Sequence, residues 1–195
     1  MVRVFPLWQA HPLILSHPLI SSLAGYLGGS EGHYNQHEGN GQNKVDGTTT
    51  QPSNPTSPVD LWVNDGPGYG LNGTYNAFAY TAHHVAIIEA AAAAEAANPF
   101  FVYHAWQEAH VPNEVPIEFE DPSIDFLLRR VYEGMVHCMD SGIGNITAAL
   151  KHTGAYEKTL IVFSADNGGR EDSFFGGNNY PLRGMKFTDF EGGTR

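Results

Sequence analysis

The run Thr159-Leu160-Ile161-Val162-Phe163-Ser164 is short, apolar and rich in residues that favour a pleated backbone, and it empties into Ala165-Asp166-Asn167-Gly168-Gly169. It reads as a buried strand that delivers two oxygen-bearing side chains into a glycine turn. Upstream, Leu128, Val131, Met135, Met139, Ile143, Ile146 and Leu150 recur every three or four residues between Asp125 and Lys151, the spacing of one helix face. Gly154 stands where a helix C-terminus needs a left-handed residue. Before that helix, Phe100-Phe101-Val102-Tyr103-His104-Ala105-Trp106 is a second strand-like run, ending in Gln107-Glu108-Ala109-His110-Val111-Pro112. Tyr75 to Ala97, rich in alanine, is expected to be a further helix, capped by Thr74 and stopped by Asn98-Pro99. Strand, long helix and strand in that order predict a parallel βαβ unit with a right-handed crossover. Such units place ligands beyond the carboxyl ends of their strands. His110 follows the first strand and Asp166 the second, so the two are expected to face one cavity.

The remainder is less regular. Residues 39–58 are Gly, Asn, Thr, Ser, Gln and Pro with almost nothing apolar, which predicts an exposed polar loop within a domain. Asp60 to Thr74 is turn-rich, and residues 1–20 show no period. A 42% hydrophobic and 12% aromatic content supports a packed core. Ten Lys plus Arg against 21 Asp plus Glu, net −11, exclude the global basic surface a nucleic-acid binder needs. The longest apolar candidate for a membrane span, Val85 to Ala97, is too short and is interrupted by Glu89 and Glu95. Pro6, Pro12 and Pro18 break any signal-peptide core near the start.

Several residues could carry chemistry. Asp166 and Asn167 present only oxygen, which suits a hard cation such as calcium or magnesium, although Asp-Asn-Gly is also ordinary turn text. His110 could move a proton or hold an anion, and Lys186 could meet an anion as a point charge or be a solvated lysine. Cys138, the single cysteine, lies inside the expected second helix and reads as a buried packing residue. Asn72-Gly73-Thr74 and Asn145-Ile146-Thr147 have the pattern of N-glycan acceptors.

These segments together resemble the sulfatase family, most closely its arylsulfatase B-like branch. The resemblance runs over roughly residues 21–195 apart from the polar loop. It is carried by Gly25-Tyr26-Leu27, Gly70-Leu71-Asn72-Gly73-Thr74-Tyr75, Ala109-His110-Val111-Pro112 and Tyr132-Glu133-Gly134-Met135-Val136. Further matches are Gly144-Asn145-Ile146-Thr147-Ala148-Ala149-Leu150-Lys151, Phe163 to Gly169, and Gly176-Gly177-Asn178-Asn179-Tyr180-Pro181-Leu182-Arg183-Gly184 with Lys186. The resemblance implies an alkaline-phosphatase-like α/β/α sandwich with a mostly parallel sheet, incomplete here. It implies hydrolysis of sulfate esters, a sulfated carbohydrate or an aryl sulfate, with one calcium ion. Asp166 and Asn167 are then calcium ligands, and His110 and Lys186 catalytic residues that hold and polarise the sulfate. It also implies a secretory, lysosomal or extracellular route. The chain departs from the family pattern in having no Cys-x-Pro-Ser-Arg motif, the source of the formylglycine nucleophile. The expectation is therefore a partial catalytic domain, inactive alone, with residues 1–20 unmatched. A non-catalytic anion-binding relative and a phosphate- or phosphonate-ester hydrolase of the same superfamily are the alternatives.

Overall fold

The computed structural model describes residues 23–25, 32–34, 61–64, 66–94, 99–171 and 176–195. The expectations for residues 1–20 and for the polar loop at 39–58 lie outside the described residues.

Two long helices organise what is described. The first, α1, spans Asn76–Ala93 and starts one residue later than expected. Its N-cap is Tyr75, which is extended, and not Thr74, whose N–H instead closes a turn on Leu71 O. Asn76 stabilises the start from within, because its Oδ1 accepts the Ala77 N–H at 2.8 Å. The helix leaves its regular course at Ala94. The second, α2, spans Leu127–His152 and buries Leu128, Val131, Met135, Cys138 and Leu150 on the expected face. It ends as its sequence requires: Gly154 takes φ +72°, and the Ala155 N–H reaches back to Leu150 O at 2.9 Å.

The helices pack on one another around Tyr75, Ala77 and Cys138, with Tyr34, Trp106, Val115 and Phe119 closing over them. Gly142 of α2 is a contact point. A Cβ there would strike the Trp106 ring and the Thr81 hydroxyl, so the absence of a side chain lets the indole lie between both helices.

The turn-rich text after Asp60 holds strands that its composition concealed. Leu61–Val63 (β2) pairs antiparallel with Leu23–Gly25 (β1) and with Gly66–Pro67 (β3), giving the order β1-β2-β3. The two expected strands behave otherwise. Phe100 to Trp106 and Thr159 to Ala165 run irregularly and pair with no strand among the described residues. Phe101, Tyr103 and Ala105 are exposed while Val102, His104 and Trp106 are half-buried, so one face of the first run is covered. The second run is open, with Leu160 88% and Val162 78% exposed. The reason for this difference is physical. A helix satisfies its backbone within itself, whereas a strand needs a neighbour for every N–H and C=O. The described residues thus combine a small antiparallel sheet with two long helices.

Candidate functional site

The turn after the second apolar run is built into a cradle with the last twenty residues. Asp166 is exposed, and its Oδ1 accepts the Asn167 N–H at 2.8 Å. Asn167 donates its Nδ2 to Gly168 O at 3.0 Å, which leaves its Oδ1 as the acceptor end of the amide. Gly168 then meets the short helix α3, Glu191–Thr194: its N–H reaches Gly193 O at 3.0 Å. A Cβ at Gly168 would collide with the Gly192 carbonyl, so only glycine permits this approach. One residue on, Asn179 clamps both sides of a peptide. Its Oδ1 accepts the Gly169 N–H at 2.7 Å, and its Nδ2 donates to Gly169 O at 2.8 Å and to Gly184 O at 3.3 Å. Gly169 O also accepts the backbone N–H of Lys186 at 3.1 Å. The oxygen pair and the lysine therefore share one hydrogen-bonded frame, although 20 residues separate them. Lys186 is half-buried, its Nζ 5.6 Å from the Phe187 ring centroid.

His110 belongs to a second cluster, on the loop that follows the first apolar run. Its N–H donates to Gln107 O at 2.8 Å, and the exposed ring places Nδ1 2.9 Å from Val111 O. A carbonyl can only accept, so Nδ1 carries a hydrogen, and Nε2 is the ring face without a hydrogen bond among the described residues. That face takes a proton, or once protonated donates to an anion.

Beneath this loop lies a buried polar network that the sequence alone does not disclose. His33 is fully buried and stacks on Tyr75 with ring centroids 5.1 Å apart. Its Nδ1 is 3.0 Å from Asn76 Oδ1 and 3.4 Å from Glu108 Oε1, and its Nε2 is 3.2 Å from His110 O. Its backbone N–H donates to Glu114 Oε1 at 2.6 Å, and Tyr75 donates its hydroxyl to Glu114 O at 3.0 Å. Asn76 Nδ2 donates to Gln107 Oε1. Burial opposes a charge on His33, but the Glu108 carboxylate, Glu114 and Asn76 outweigh it and raise its pKa above the ordinary imidazole value. Burial likewise raises the pKa of Glu114, against the pull of His33. The only sequence hint was position: Glu108 is two residues from His110, and Asn76 opens a helix.

Asp166, Asn167 and Lys186 thus come together through backbone bonds, while His110 sits in its own cluster, and no hydrogen bond joins the two clusters among the described residues. Calcium takes six to eight oxygen ligands. Asp166 and Asn167 supply acceptors of the right kind, and no group of three or more His, Cys, Asp or Glu side chains suited to a metal exists among the described residues. The pair fits as part of a ligand set. Cys138 is buried, and burial with Glu108 and Glu118 nearby pushes its thiol up to about 12, which keeps it from acting as a nucleophile. Asn72 and Asn145 are both exposed, the first in a turn and the second on α2. No helix among the described residues is long and apolar enough to cross a membrane.

Comparison with known proteins shows what the chain is similar to. The family description "Sulfatase" matches residues 22–195. Arylsulfatase J of Mus musculus is 39% identical over 139 residues, which is 70% of this chain and 22% of the relative. Arylsulfatase A of Homo sapiens is 32% identical over 127 residues, 65% of this chain and 23% of the relative. The crystal structure of Ps i-CgsB in complex with k-i-k-neocarrahexaose superposes with a TM-score of 0.64 at 34% identity, over 69% of this chain and 29% of that one. The matched part of this chain spans less than a quarter of the length of either curated relative.

Proposed function

This chain belongs to the sulfatase family, and from that premise we propose that it carries part of a site at which sulfuric esters are hydrolysed. The observation that carries the proposal is the bond from the Lys186 N–H to Gly169 O, 3.1 Å, which ties the backbone of the lysine to the turn that carries the Asp166-Asn167 oxygen pair. A sulfate ester gains negative charge on its leaving oxygen as the S–O bond breaks, so a site for it needs cations and a proton source. Lys186 Nζ serves as the point charge on the sulfate oxygens. His110, held with Nδ1–H on Val111 O, offers Nε2 to the ester, and when protonated donates that hydrogen to the departing alcohol oxygen. Asp166 and Asn167 would hold calcium as part of its ligand set. When bound, the ion supplies positive charge that orients the sulfate and stabilises the charge developing on it.

In this reading the runs ending at Trp106 and Ala165 are parallel neighbours in a sandwich sheet, and their carboxyl ends carry His110 and Asp166 to one edge. The substrate is a sulfated carbohydrate or an aryl sulfate, and the first is favoured by the neighbour solved with k-i-k-neocarrahexaose. Exposed Asn72 and Asn145 fit N-glycans and a secretory route.

The chain as written contains no Cys-x-Pro-Ser-Arg sequence, and its one cysteine is buried in α2. It should therefore bind but not turn over. With calcium and a chromogenic aryl sulfate, release should equal that of His110→Ala. Inorganic sulfate should shift the Lys186 resonances, and Lys186→Ala should weaken that binding by about tenfold, worth about 1.4 kcal/mol. Sulfate binding unaltered by Lys186→Ala would remove the lysine from the site.

A further inference from the structure

We propose that His33 is a buried imidazolium that positions His110 from beneath. The assignment of His110 to the sulfate rests on the reading above; the charge on His33 does not. The argument begins with what each ring nitrogen faces. Nε2 lies 3.2 Å from His110 O, and a backbone carbonyl accepts only. Nδ1 lies 3.0 Å from Asn76 Oδ1. The orientation of that amide is set from both ends, because Oδ1 accepts the Ala77 N–H at 2.8 Å and Nδ2 donates to Gln107. Nδ1 also faces Glu108 Oε1 at 3.4 Å. Both nitrogens thus point at acceptors, and each must carry a hydrogen, which makes the ring a cation. A neutral ring would set a bare lone pair against an acceptor in a site with no access to water.

The surroundings are arranged for that charge. Glu108 has a fully buried side chain, and neither of its oxygens has a hydrogen-bond partner among the described residues. Left without His33 it would be an uncompensated buried carboxylate, so the two groups require one another. Glu114 adds a second acid at the His33 backbone. Among the described residues, the groups facing His33 are Tyr75 and Asn76 at the start of α1, and Glu108, the His110 carbonyl and Glu114 from the loop. Apart from the ring itself the only ionisable groups in that set are Tyr75 and the two acids.

The consequence for the site is directional. The cation holds the carbonyl of His110 while the side chain of His110 points to solvent. Its hydrogen bond fixes the peptide from which the exposed ring projects. When the proton leaves Nε2, His110 loses one of its two backbone bonds among the described residues, the other being its N–H to Gln107 O. His33 is then a positioning residue: it meets no substrate and acts through His110.

The test is the titration of the imidazole nitrogens by long-range proton–nitrogen NMR on the whole 195-residue chain. We expect both His33 nitrogens to be protonated at neutral pH and to remain so beyond the titration of an ordinary histidine. The amides of residues 108–111 and the His110 ring should shift with the same midpoint as His33. Glu108→Gln, which keeps the shape and removes the charge, should move that midpoint to lower pH by about one unit or more. If that variant does not fold, the unsubstituted chain still decides the charge. A bare nitrogen on His33 at neutral pH would overturn the proposal, and so would a His110 loop that ignores the His33 midpoint. Inorganic sulfate separates the two readings. A His110 ring blind to sulfate, alongside a doubly protonated His33 whose midpoint the loop follows, would defeat the ester-hydrolase reading and uphold the positioning one.

Discussion

The two apolar runs are equal in length and share strand propensity, and they have opposite surroundings. Phe100 to Trp106 lies with one face against the helices: His104 Nδ1 is 3.0 Å from His84 Nδ1 of α1, and the Trp106 ring rests over Gly142 of α2. Thr159 to Ala165 lies open, with four consecutive large apolar side chains, Leu160 to Phe163, exposed. Apolar text states that a segment would be stabilised by burial; it does not state that a surface is present to bury it. The helices provide that surface for the first run alone. The second run leads to the Asp166 turn, yet that turn is ordered by its own backbone bonds to residues 179–193 and not by the run before it.

This contrast predicts unequal responses to one kind of change. Val102→Asp places a carboxylate on the covered face and should cost about 2 kcal/mol of stability. Val162→Asp should stay within about 0.5 kcal/mol, because it alters a side chain already in water. Denaturant midpoints of the two variants measure the difference, and equal losses would mean that the second run is buried in solution. Gly168→Ala comes next. Its methyl group would meet the Gly192 carbonyl, so the cradle should open at a cost of roughly 1–2 kcal/mol. Faster amide exchange at Gly168 and Lys186, with α2 unchanged, is the expected record.

A smaller effect concerns acid. Burial and the nearby His84 lower the pKa of His104 to about 4, below its unfolded value. A depressed pKa contributes stability above the unfolded value and loses it as pH falls toward the folded one. The melting temperature should therefore drop by on the order of a few degrees between about pH 6.5 and pH 4. His104→Phe should flatten that part of the profile. His33 has the opposite sign: its raised pKa gives stability at low and neutral pH that is lost as pH rises through the folded value.

What the sequence made legible follows the range of the interactions involved. α2 and its glycine stop are local, set by a repeating apolar face and one left-handed residue, and both stand where the spacing put them. The burial of Cys138 follows from the same face. Thr74 was a plausible cap by type, but the chain is already turned there through its bond to Leu71, and Asn76 supplies the side-chain acceptor instead. β2 and β3 escaped notice because they are two or three residues long and embedded in Gly, Pro and Asp. Asp166, Asn167 and Lys186 could be named from motif resemblance. Their meeting depends on the Asn179 clamp and on a glycine contact between distant segments, which no local pattern encodes. His33 and Glu108 are brought together across 75 residues, and neither carries a signal of its own.

The central claim is that the His110 ring and the Asp166-Asn167 pair face one cavity. Paramagnetic manganese, substituted for calcium, would broaden the resonances of nuclei near it. The account predicts broadening of the amides of residues 166–169, of the Lys186 segment and of the His110 ring together, all abolished by Asp166→Ala and reversed by calcium. Broadening confined to residues 166–169 and 184–187, with the His110 ring untouched, would contradict it.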